Sequence, residues 1–262
     1  MTEPTEQIPG QSSFEMPGCE TGRARELIAR SIRPVVFTGS GMSSESGIRT
    51  FRGEGGHWRE HRAEDLATPS ALRRDPRLVW EWYRDRLIAG EEVEPHAGYG
   101  ALTDLQTLKG RLPVITQNVD GLHQQAGHEN VIELHGSLLT ASCIEKCGYR
   151  TRLSPDLLDV LPPPCKCGSY LRPDVVLFGE PLPSESFSLA CELAGECDLM
   201  LVVGTSMVVY PAAGIPYTAL AAGAHVIEVN PEDTGFTGTQ GVLSLKGSAG
   251  AVLPELIGEL NR

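Results

Sequence analysis

Short apolar runs alternate with helical segments along most of this chain, and this alternation limits the possible folds more than any other feature. The apolar runs are Val35 to Thr38, Leu112 to Thr116, Val131 to Leu134, Val175 to Phe178, Leu199 to Val203 and Val226 to Val229. The segments with helical character are Arg23 to Arg33, His96 to Leu108, Ser184 to Ala194 and Pro211 to Ala222. Strands that alternate with helices form a parallel sheet covered by helices on both faces. The sequence therefore predicts an α/β fold.

Residues 199–227 contain no Asp, Glu, Lys or Arg and are long enough to cross a bilayer. Gly204, Pro211 and Gly223 interrupt this stretch, which favours a buried strand, helix and strand instead of a membrane span. Residues 1–20 contain four glutamates and no Lys or Arg. We expect them to form a flexible, solvated tail and not a signal or transit peptide.

The charge of the chain disfavours two classes of partner. Lys and Arg total 22 against 34 Asp and Glu, which gives a formal net charge of -12. Proteins that bind nucleic acids or anionic membranes without sequence preference carry basic surfaces. We therefore expect neither a direct nucleic-acid partner nor a membrane partner. The 29 glycines and 19 prolines indicate many tight turns and glycine loops, which often hold phosphates.

A glycine loop, Gly39-Ser40-Gly41-Met42-Ser43-Ser44-Glu45-Ser46-Gly47, follows the first apolar run. Paired glycines after a strand let the backbone approach a pyrophosphate, whose charge is favoured by amide N–H groups and a helix N-terminus. The pattern departs from the dinucleotide fingerprint, because Ser44 stands where the third glycine belongs and no acidic residue ends a second strand about 20 residues later. Asn230 and Glu232 are candidates for the contact to ribose. The alternative is that this loop is only a structural turn and binds no nucleotide.

Four of the seven cysteines form two close pairs, Cys143-x-x-x-Cys147 and Cys165-x-Cys167. Four thiolates suit a tetrahedral zinc ion, and a site with four protein ligands is structural because no position is left for water. Four unconnected buried thiols are the alternative, and a zinc ribbon that binds nucleic acid is a weaker one. The odd cysteine count does not suit a disulfide framework and indicates a reducing compartment, so we expect a cytoplasmic protein.

Polar residues follow three of the predicted strands. Gln117, Asn118 and Asp120 follow the second run, Gly204-Thr205-Ser206 follow the fifth, and His135 follows the third. Open parallel sheets bind ligands at the carboxyl ends of their strands, so these residues predict a binding crevice. The unperturbed pKa of an imidazole suits general-base catalysis near neutral pH. His135 is a candidate base, with a structural histidine as the alternative.

Together, these motifs resemble the sirtuins, the NAD-dependent protein-lysine deacylases. The resemblance runs from about Arg23 to the carboxyl end through GSGMSSESGIRTFRG, TQNVDGLH, ELHGS, the cysteine segment, LRPDVVLFGE, VVGTSMVVYP and VNPE. It implies a Rossmann-like domain and a smaller domain made of a zinc module and a helical module. The implied division is residues 21–58, 91–140 and 173–262 for the Rossmann-like domain, 59–90 for the helical module and 141–172 for the zinc module.

The resemblance also implies roles for individual residues. His135 would be the catalytic base, and Cys143, Cys147, Cys165 and Cys167 would bind one structural zinc ion. The residues implied to bind NAD are Gly39, Ser40, Gly41, Met42, Ser43, Gly47, Ile48, Phe51, Arg52, Trp58, Gln117, Asn118, Asp120, Gly204, Thr205, Ser206, Asn230, Glu232 and Ala249. The residues implied to contact the acyl-lysine substrate are Ala67, Tyr83, Arg86, Val176, Phe178, Gly179, Glu180, Val208 and Tyr210. The peptide would pair with residues 176–180 and 207–210 by strand addition.

Two departures from the commonest family pattern point to one branch. The chain reads Gly47-Ile48-Arg49-Thr50-Phe51-Arg52 where GIPDFR is usual, and it has Tyr83-x-x-Arg86 together with Ala67. These features resemble the branch that removes succinyl and malonyl groups, in which Tyr and Arg bind the acyl carboxylate. An arginine pairs with a carboxylate through two parallel hydrogen bonds. The alternative is that Tyr83 and Arg86 are an ordinary helix face with Tyr packed and Arg solvated.

The activity implied by the resemblance is transfer of an acyl group from a protein lysine to NAD. The acyl oxygen attacks C1′ of the nicotinamide ribose, nicotinamide leaves, and His135 takes a proton from a ribose hydroxyl. The products would be free lysine, nicotinamide and O-acyl-ADP-ribose. Two alternatives remain open at this point: mono-ADP-ribosyl transfer to a protein, and a non-catalytic NAD-sensing or zinc-ribbon adaptor.

Overall fold

A six-stranded parallel sheet forms the centre of the larger part of the molecule. The computed structural model describes residues 17–50 and 62–261. Its strands are β1 Pro34–Thr38, β2 Val114–Thr116, β3 Val131–Glu133, β4 Gly136–Cys143, β5 Arg150–Arg152, β6 Leu171–Val175, β7 Leu199–Val203, β8 His225–Asn230 and β9 Val242–Lys246. The larger sheet has the order β3-β2-β1-β7-β8-β9, with every neighbouring pair parallel. The predicted α/β fold with a Rossmann-like parallel sheet is confirmed.

Helices cover both faces of this sheet. The α-helices in the described ranges are α1 Pro17–Arg30, α2 Ala63–Leu66, α3 Pro69–Arg74, α4 Pro76–Glu91, α5 Ala97–Lys109, α6 Leu122–Gln125, α7 Ser184–Glu196, α8 Ile215–Ala221 and α9 Ala249–Gly258. One face packs against α1, α5 and α9, through residues such as Ile28, Leu102 and Leu253. The other face packs against α7 and α8, through Ala190 and Ala219. Because both faces are covered, β1 and β7 are buried along their whole lengths, as their unbroken apolar runs require.

Strand order reverses next to β1, and this position determines where a ligand can bind. From β1 the chain continues to β2 and β3 on one side, and β7, β8 and β9 lie on the other. The chain segments that follow β1 and β7 therefore continue to opposite faces of the sheet, and a crevice forms at the carboxyl edge where they separate. The glycine loop lies at this crevice as a 3-10 helix, Ser40–Ser46, which ends at Gly47 in the left-handed conformation (φ 94°).

A three-stranded antiparallel sheet of order β5-β4-β6 forms the smaller part of the molecule. Helix α4 packs on it, and the indole N–H of the fully buried Trp80 donates a hydrogen bond of 2.7 Å to the carbonyl of Leu171. Asp75 caps the N-terminus of α4 by accepting from the amide of Leu78, and Pro76 occupies its first turn. The small sheet and the helices of residues 63–91 thus share one core, which includes Leu72, Val79 and Leu171.

Several elements of the structure differ from those predicted from the sequence. The run Val175 to Phe178 was expected to be a strand of the parallel sheet, but only Val175 is in a strand, and that strand, β6, belongs to the small sheet. Residues 136–140 and 173–175 also lie in small-sheet strands, although the expected division gave them to the Rossmann-like domain. Helix α1 begins at Pro17, inside the segment 1–20 that was expected to be a tail. Strands β4 and β9 were not predicted, because neither is a continuous apolar run.

The charge-free stretch of residues 199–227 folds as β7, the 3-10 helix Ala212–Gly214, α8 and the start of β8. The prediction of a buried strand, helix and strand is therefore confirmed. Within the described ranges, none of the helices has both the length and the apolar character needed to span a bilayer.

The four cysteines that form two close pairs in the sequence meet at one end of the small sheet. Their Sγ atoms all lie within 4.8 Å of one another. Neighbouring sulfurs are 3.5 Å apart for Cys143 and Cys167 and 3.6 Å apart for Cys147 and Cys165. A tetrahedral zinc with Zn–S bonds of about 2.3 Å requires sulfurs about 3.8 Å apart, and a disulfide requires about 2.05 Å. The cluster therefore fits one structural zinc ion with four thiolate ligands.

His123 and His128 are buried, and their ring nitrogens are only partly hydrogen-bonded. The hydroxyl of Thr38 donates to Thr116, so it accepts from the Nε2–H of His123, 3.0 Å away. No described group hydrogen-bonds the Nδ1 of His123 or either ring nitrogen of His128, and the two rings lie 5.2 Å apart. Burial lowers the pKa of His123 to about 3 and that of His128 to about 4. Both rings are neutral in the folded protein at neutral pH.

Replacement of one cluster cysteine should release the metal. We expect purified protein to contain about one equivalent of zinc, and Cys165→Ala to lose it together with a marked part of its thermal stability, because metal binding and folding of such modules are coupled. Metal analysis and thermal unfolding measure the two effects. Cys191→Ala, a half-buried thiol outside the cluster, is the control and should retain the metal. Retention of full zinc content by Cys165→Ala would contradict the assignment.

Acid should destabilise the protein through the two buried histidines. Their pKa values lie below the unfolded value of about 6.5, so the unfolded state binds more protons and the stability present above pH 6.5 is lost as pH falls. The slope approaches about 1.4 kcal/mol per pH unit for each proton. In urea unfolding between pH 7.0 and 5.5, His128→Leu should show a smaller slope than wild type. His225→Gln, at an exposed position, should keep the wild-type slope. Equal slopes in His128→Leu and wild type would contradict this account.

Candidate functional site

A cavity of about 650 Å³ lies between the carboxyl edge of the parallel sheet and the smaller part of the molecule. Residues that follow β1, β2, β3, β7 and β8 line it: Gly39, Gln117, His135, Gly204 and Pro231. Helix α4 and the segment after β6 supply the opposite wall. The cavity thus occupies the crevice at which strand order reverses, where open α/β sheets bind ligands.

The glycine loop is held in place by direct contact with the loop that follows β7. The amide of Gly41 donates to the carbonyl of Gly204 at 2.8 Å. A Cβ on Gly41 would lie 2.8 Å from the Gly204 backbone, and a Cβ on Gly39 would lie 2.8 Å from the Thr205 side chain. Gly204 has φ of +60°, and a Cβ there would lie 2.2 Å from the amide nitrogen of Met42. These glycines are required for loop-to-loop packing, a reason that the sequence pattern did not reveal.

Beneath the glycine loop, Ser43 belongs to a buried polar network. Its hydroxyl donates to the carboxylate of Asp120 at 2.7 Å and lies 3.0 Å from the Tyr99 hydroxyl. The side-chain amide of Asn118 donates to Ser43 and to the carbonyl of Gly39. Burial raises the pKa of Asp120, while the hydrogen bonds from Ser43 and from the amide of Leu122 oppose that rise. The network fixes the loop to the carboxyl end of β2.

Most of the residues expected to bind NAD lie on the cavity wall. Those that line it are Gly39, Ser40, Gly41, Gln117, Asn118, Gly204, Thr205, Ser206, Asn230 and Glu232. Among the described residues, the expected positions Met42, Ser43, Gly47, Ile48, Asp120 and Ala249 do not belong to this wall. Phe51, Arg52 and Trp58 lie outside the described residues. The wall therefore carries hydroxyl, amide and backbone groups around a glycine loop, a donor set that fits a dinucleotide.

Thr205 joins three of these wall segments. Its hydroxyl accepts from the side-chain amide of Gln117 at 3.0 Å, and its carbonyl accepts from the side-chain amide of Asn230 at 3.0 Å. Asn230 in turn accepts from the amide of Glu232. The ends of β2, β7 and β8 are thereby held together around the cavity.

His135 has a defined tautomer. Its Nδ1 lies 2.9 Å from the carbonyl oxygen of Gln117, and because a carbonyl only accepts, Nδ1 carries the proton and Nε2 keeps a lone pair. Burial lowers the pKa of His135, although the hydrogen bond to Gln117 acts in the opposite direction. The carbonyl of His135 accepts from the amide of Val176, which fixes the backbone. His135 therefore presents a neutral imidazole on the wall of the cavity.

Tyr83 and Arg86 lie together on the same cavity wall, one helical turn apart in α4, with the small side chain of Ala67 nearby on the wall. Burial raises the pKa of Tyr83 well above its usual range, so the phenol stays protonated. Burial lowers the pKa of Arg86, and the charges of Tyr83 and Asp120 oppose that change. Tyr83 is 6% exposed, yet both side chains reach the cavity. The alternative to a carboxylate site was an ordinary helix face with Tyr83 packed and Arg86 solvated, and of these two features only the packed Tyr83 is found.

The segment after β6 is already engaged by hydrogen bonds. The amide of Val176 donates to His135, and the amide of Phe178 donates to the carbonyl of Ala67 at 2.8 Å. The carboxylate of Glu180 accepts from both terminal nitrogens of Arg172, at 2.6 and 2.8 Å, and from the amide of Leu177. Strand addition along this segment would therefore use carbonyl oxygens more than amides. The carboxylate of Glu180 therefore holds the turn that follows β6, and Glu180 also lines the cavity.

Exposed apolar side chains surround the mouth of the cavity. Phe178, Val208 and Tyr210 are 41%, 52% and 67% exposed, and all three line the cavity. They come from the two segments that the sequence assigned to the peptide substrate, and the structure brings these segments together.

Several cavity residues were not predicted. Trp82, Leu182, Thr234 and Ser248 line the cavity. Trp82 precedes Arg86 by four residues, so helical spacing alone placed both on one face of α4. Thr234 and Ser248 carry no such signal, since they come from loops whose paths depend on tertiary structure.

Comparison with known proteins identifies the family to which the chain belongs. A family model described as the Sir2 family matches residues 39–211. NAD-dependent protein deacylase 2 of Pyrobaculum aerophilum is 51% identical over 238 residues, which cover 90% of this chain and 94% of that protein. A crystal structure of a Sir2 homologue in complex with NAD is 41% identical, with a TM-score of 0.85 and coverage of 92% of this chain and 93% of that chain. A Sir2 protein bound to a myristoylated histone peptide is 38% identical, with a TM-score of 0.76 and coverage of 94% and 98%. The chain belongs to the Sir2 family.

Proposed function

We propose that this protein is an NAD-dependent protein-lysine deacylase that prefers succinyl and malonyl groups and retains some activity on acetyl groups. The observation that carries the proposal is the placement of Tyr83, Arg86 and His135 on the walls of one cavity. His135 supplies a base, and the other two residues supply donors suited to a terminal carboxylate. The relative from Pyrobaculum aerophilum, named as an NAD-dependent deacylase, supports the reaction class.

NAD would bind along the carboxyl edge of the parallel sheet. Its phosphates would lie near the backbone of Ser40 and Gly41, and its two ribose units near Gln117, Thr205 and Asn230. When bound, NAD supplies an electrophilic ribose carbon that accepts the acyl oxygen and releases nicotinamide. The role of the protein is to hold both reactants in one water-poor cavity, since water competes for the same carbon.

His135 would act through Nε2. The hydrogen bond from Nδ1 to Gln117 holds the imidazole in the tautomer in which Nε2 accepts a proton. Because burial lowers the pKa of His135, the ring is neutral at pH 7 and able to take a proton from a ribose hydroxyl. Gln117 joins this ring to the cavity wall, because its side chain also binds Thr205.

The acyl-lysine would enter at the exposed apolar mouth. The peptide would lie between the segments that contain Phe178 and Val208, with its backbone recognised more than its sequence. Such recognition accepts lysines in many proteins, so specificity would depend on the acyl group. The lysine side chain would pass His135 toward helix α4.

At the inner end, Tyr83 and Arg86 would bind the acyl carboxylate. The buried phenol of Tyr83 stays protonated and would donate one hydrogen bond, and the guanidinium of Arg86 would supply the positive charge and further N–H donors. Ala67 leaves space where a larger side chain would obstruct the acyl chain. An acetyl group has no carboxylate, so it could not accept hydrogen bonds from Tyr83 and Arg86 as a succinyl or malonyl group would.

Activity should decline in acid through His135. Its pKa lies below the ordinary 6.5 in the free protein, so the base form is lost only as pH falls through that lower value. The acid limb of kcat/KM for deacylation should therefore lie below pH 6.5. His135→Ala should lower kcat by about 10²- to 10⁴-fold.

Nicotinamide release from NAD and an acyl-lysine peptide, measured between pH 5 and 8, checks both effects of His135. His225→Asn, at the exposed first position of β8, serves as the control and should match wild type. Unchanged turnover in His135→Ala would refute the assigned base, whereas nicotinamide release at the level of a protein-free blank in both wild type and variant would favour a non-catalytic role for the protein.

Loss of the arginine should change the acyl preference. Arg86→Met keeps much of the side-chain length but removes the charged fork, so kcat/KM for succinyl peptides should fall by about 10- to 100-fold while that for acetyl peptides changes little. Steady-state assays with succinyl, malonyl and acetyl forms of one peptide measure the preference.

Arg84→Met is the matched control, since Arg84 lies on the same helix and pairs with the exposed Asp85. It should keep the wild-type preference. Equal losses on succinyl and acetyl peptides in Arg86→Met would refute the carboxylate role. Absence of nicotinamide release with every acyl peptide in the wild type would refute the deacylase function itself.

A further inference from the structure

Trp82 lies beneath the guanidinium of Arg86. The guanidinium carbon is 4.8 Å from the centroid of the Trp82 ring. The two residues are four apart in α4, and helical side chains tilt toward the N-terminus, so the side chain of Arg86 extends back over Trp82. Both residues line the candidate cavity.

Trp82 also contacts the second donor of the pair. Its ring meets that of Tyr83 edge to face, with centroids 4.7 Å apart and an interplanar angle of 74°. The indole packs in part against the small-sheet core, which limits its own motion. One aromatic side chain therefore touches both of the donors proposed for the acyl carboxylate.

We propose that Trp82 is a positioning residue for the acyl carboxylate, because its ring holds the guanidinium of Arg86 in the orientation that receives the anion. The proposal rests on the proposed function, since it requires Arg86 to bind an acyl carboxylate. It assigns Trp82 no contact with the reacting atoms.

A cation–π contact and carboxylate binding can coexist on one guanidinium. The contact uses the face of the indole ring, and a carboxylate would bind those N–H groups of the guanidinium that do not point at the ring. An arginine held against an indole has fewer rotamers before the substrate arrives, so less conformational entropy is lost on binding.

Trp82 would instead be a simple apolar wall if its only contacts were with the methylene groups of the acyl chain. Succinyl and butyryl peptides distinguish the two roles. Both acyl groups have four carbons, and they differ in whether the chain ends in a carboxylate or a methyl group. A wall affects both substrates alike, whereas a residue that positions Arg86 affects only succinyl.

The test compares kcat/KM for succinyl and butyryl forms of one peptide in Trp82→Leu, Trp82→Phe and wild type. In Trp82→Leu the succinyl-to-butyryl ratio should fall by roughly three- to thirtyfold, which is the range expected for a cation–π contact. The loss should fall mainly on KM for the succinyl peptide. Trp82→Phe, which retains an aromatic face, should recover part of the ratio. Ile88→Ala, at an exposed position of the same helix that does not share the i, i+4 spacing of Trp82 and Arg86, should leave the ratio at the wild-type value.

A double-mutant cycle separates action through Arg86 from direct action. In an Arg86→Met background, Trp82→Leu should cause no further change in the ratio. A further fall of the same size would overturn the proposal, and so would an unchanged ratio in the single variant Trp82→Leu.

If Trp82→Leu does not fold, Trp82→Met makes the same comparison with an unbranched side chain. A wild-type enzyme that shows no preference for succinyl would refute the acyl specificity proposed above. A wild-type preference that survives loss of Trp82 would refute only the positioning role.

Discussion

The contact between the glycine loop and the loop after β7 is the constraint on which the rest of the site depends. Gly39 donates to the carbonyl of Val203, Gly41 donates to Gly204, and Gly204 donates to the carbonyl of Val229. These hydrogen bonds join the ends of β1, β7 and β8 at separations that leave no space for a Cβ on Gly41 or Gly204. The cavity floor is therefore built by backbone groups at fixed distances, and side chains such as Gln117 and Asn230 only extend it.

Burial acts differently on each ionisable group around the cavity, and these differences determine what each group can do. It keeps the phenol of Tyr83 protonated by raising its pKa, and it keeps the ring of His135 neutral by lowering its pKa. An arginine retains its charge even where burial lowers its pKa, because its unperturbed value is so high. One cavity thus holds a donor, a proton acceptor and a cation at neutral pH.

The sequence predicted elements that are continuous along the chain and missed those that depend on distant contacts. Apolar runs identified β1 and β7, because strands covered on both faces need largely apolar sequence. Strand β8 was also identified, although the buried Glu228 interrupts its apolar residues and is hydrogen-bonded by Thr237 and Ser244. The same rule wrongly predicted that Val175 to Phe178 form a strand of the parallel sheet. These apolar residues instead belong to the core of the small sheet or line the cavity. The cysteine spacing indicated the zinc cluster, since its four ligands come from two short segments.

Within the site, motifs placed His135 and most wall residues correctly on the cavity, but spacing could not assign the roles of the glycines. Nothing in the order of residues shows that Gly41 packs on Gly204, 163 positions later in the chain. Ser43 and Asp120, which the family resemblance implied to bind NAD, do not line the cavity and form a hydrogen-bonded network with Tyr99. Only the three-dimensional structure distinguishes a residue that lines the cavity from one that supports the lining.

The net charge of -12 and the preference proposed for an anionic acyl group are compatible because the two act over different distances. At physiological ionic strength, charges on the surface are screened beyond about 8 Å, so the overall acidity has little effect deep in the cavity. A guanidinium in a buried site is screened much less, and its interaction with a carboxylate is correspondingly stronger. The surface charge would slow the approach of acidic peptides, while Arg86 would determine which acyl group stays bound.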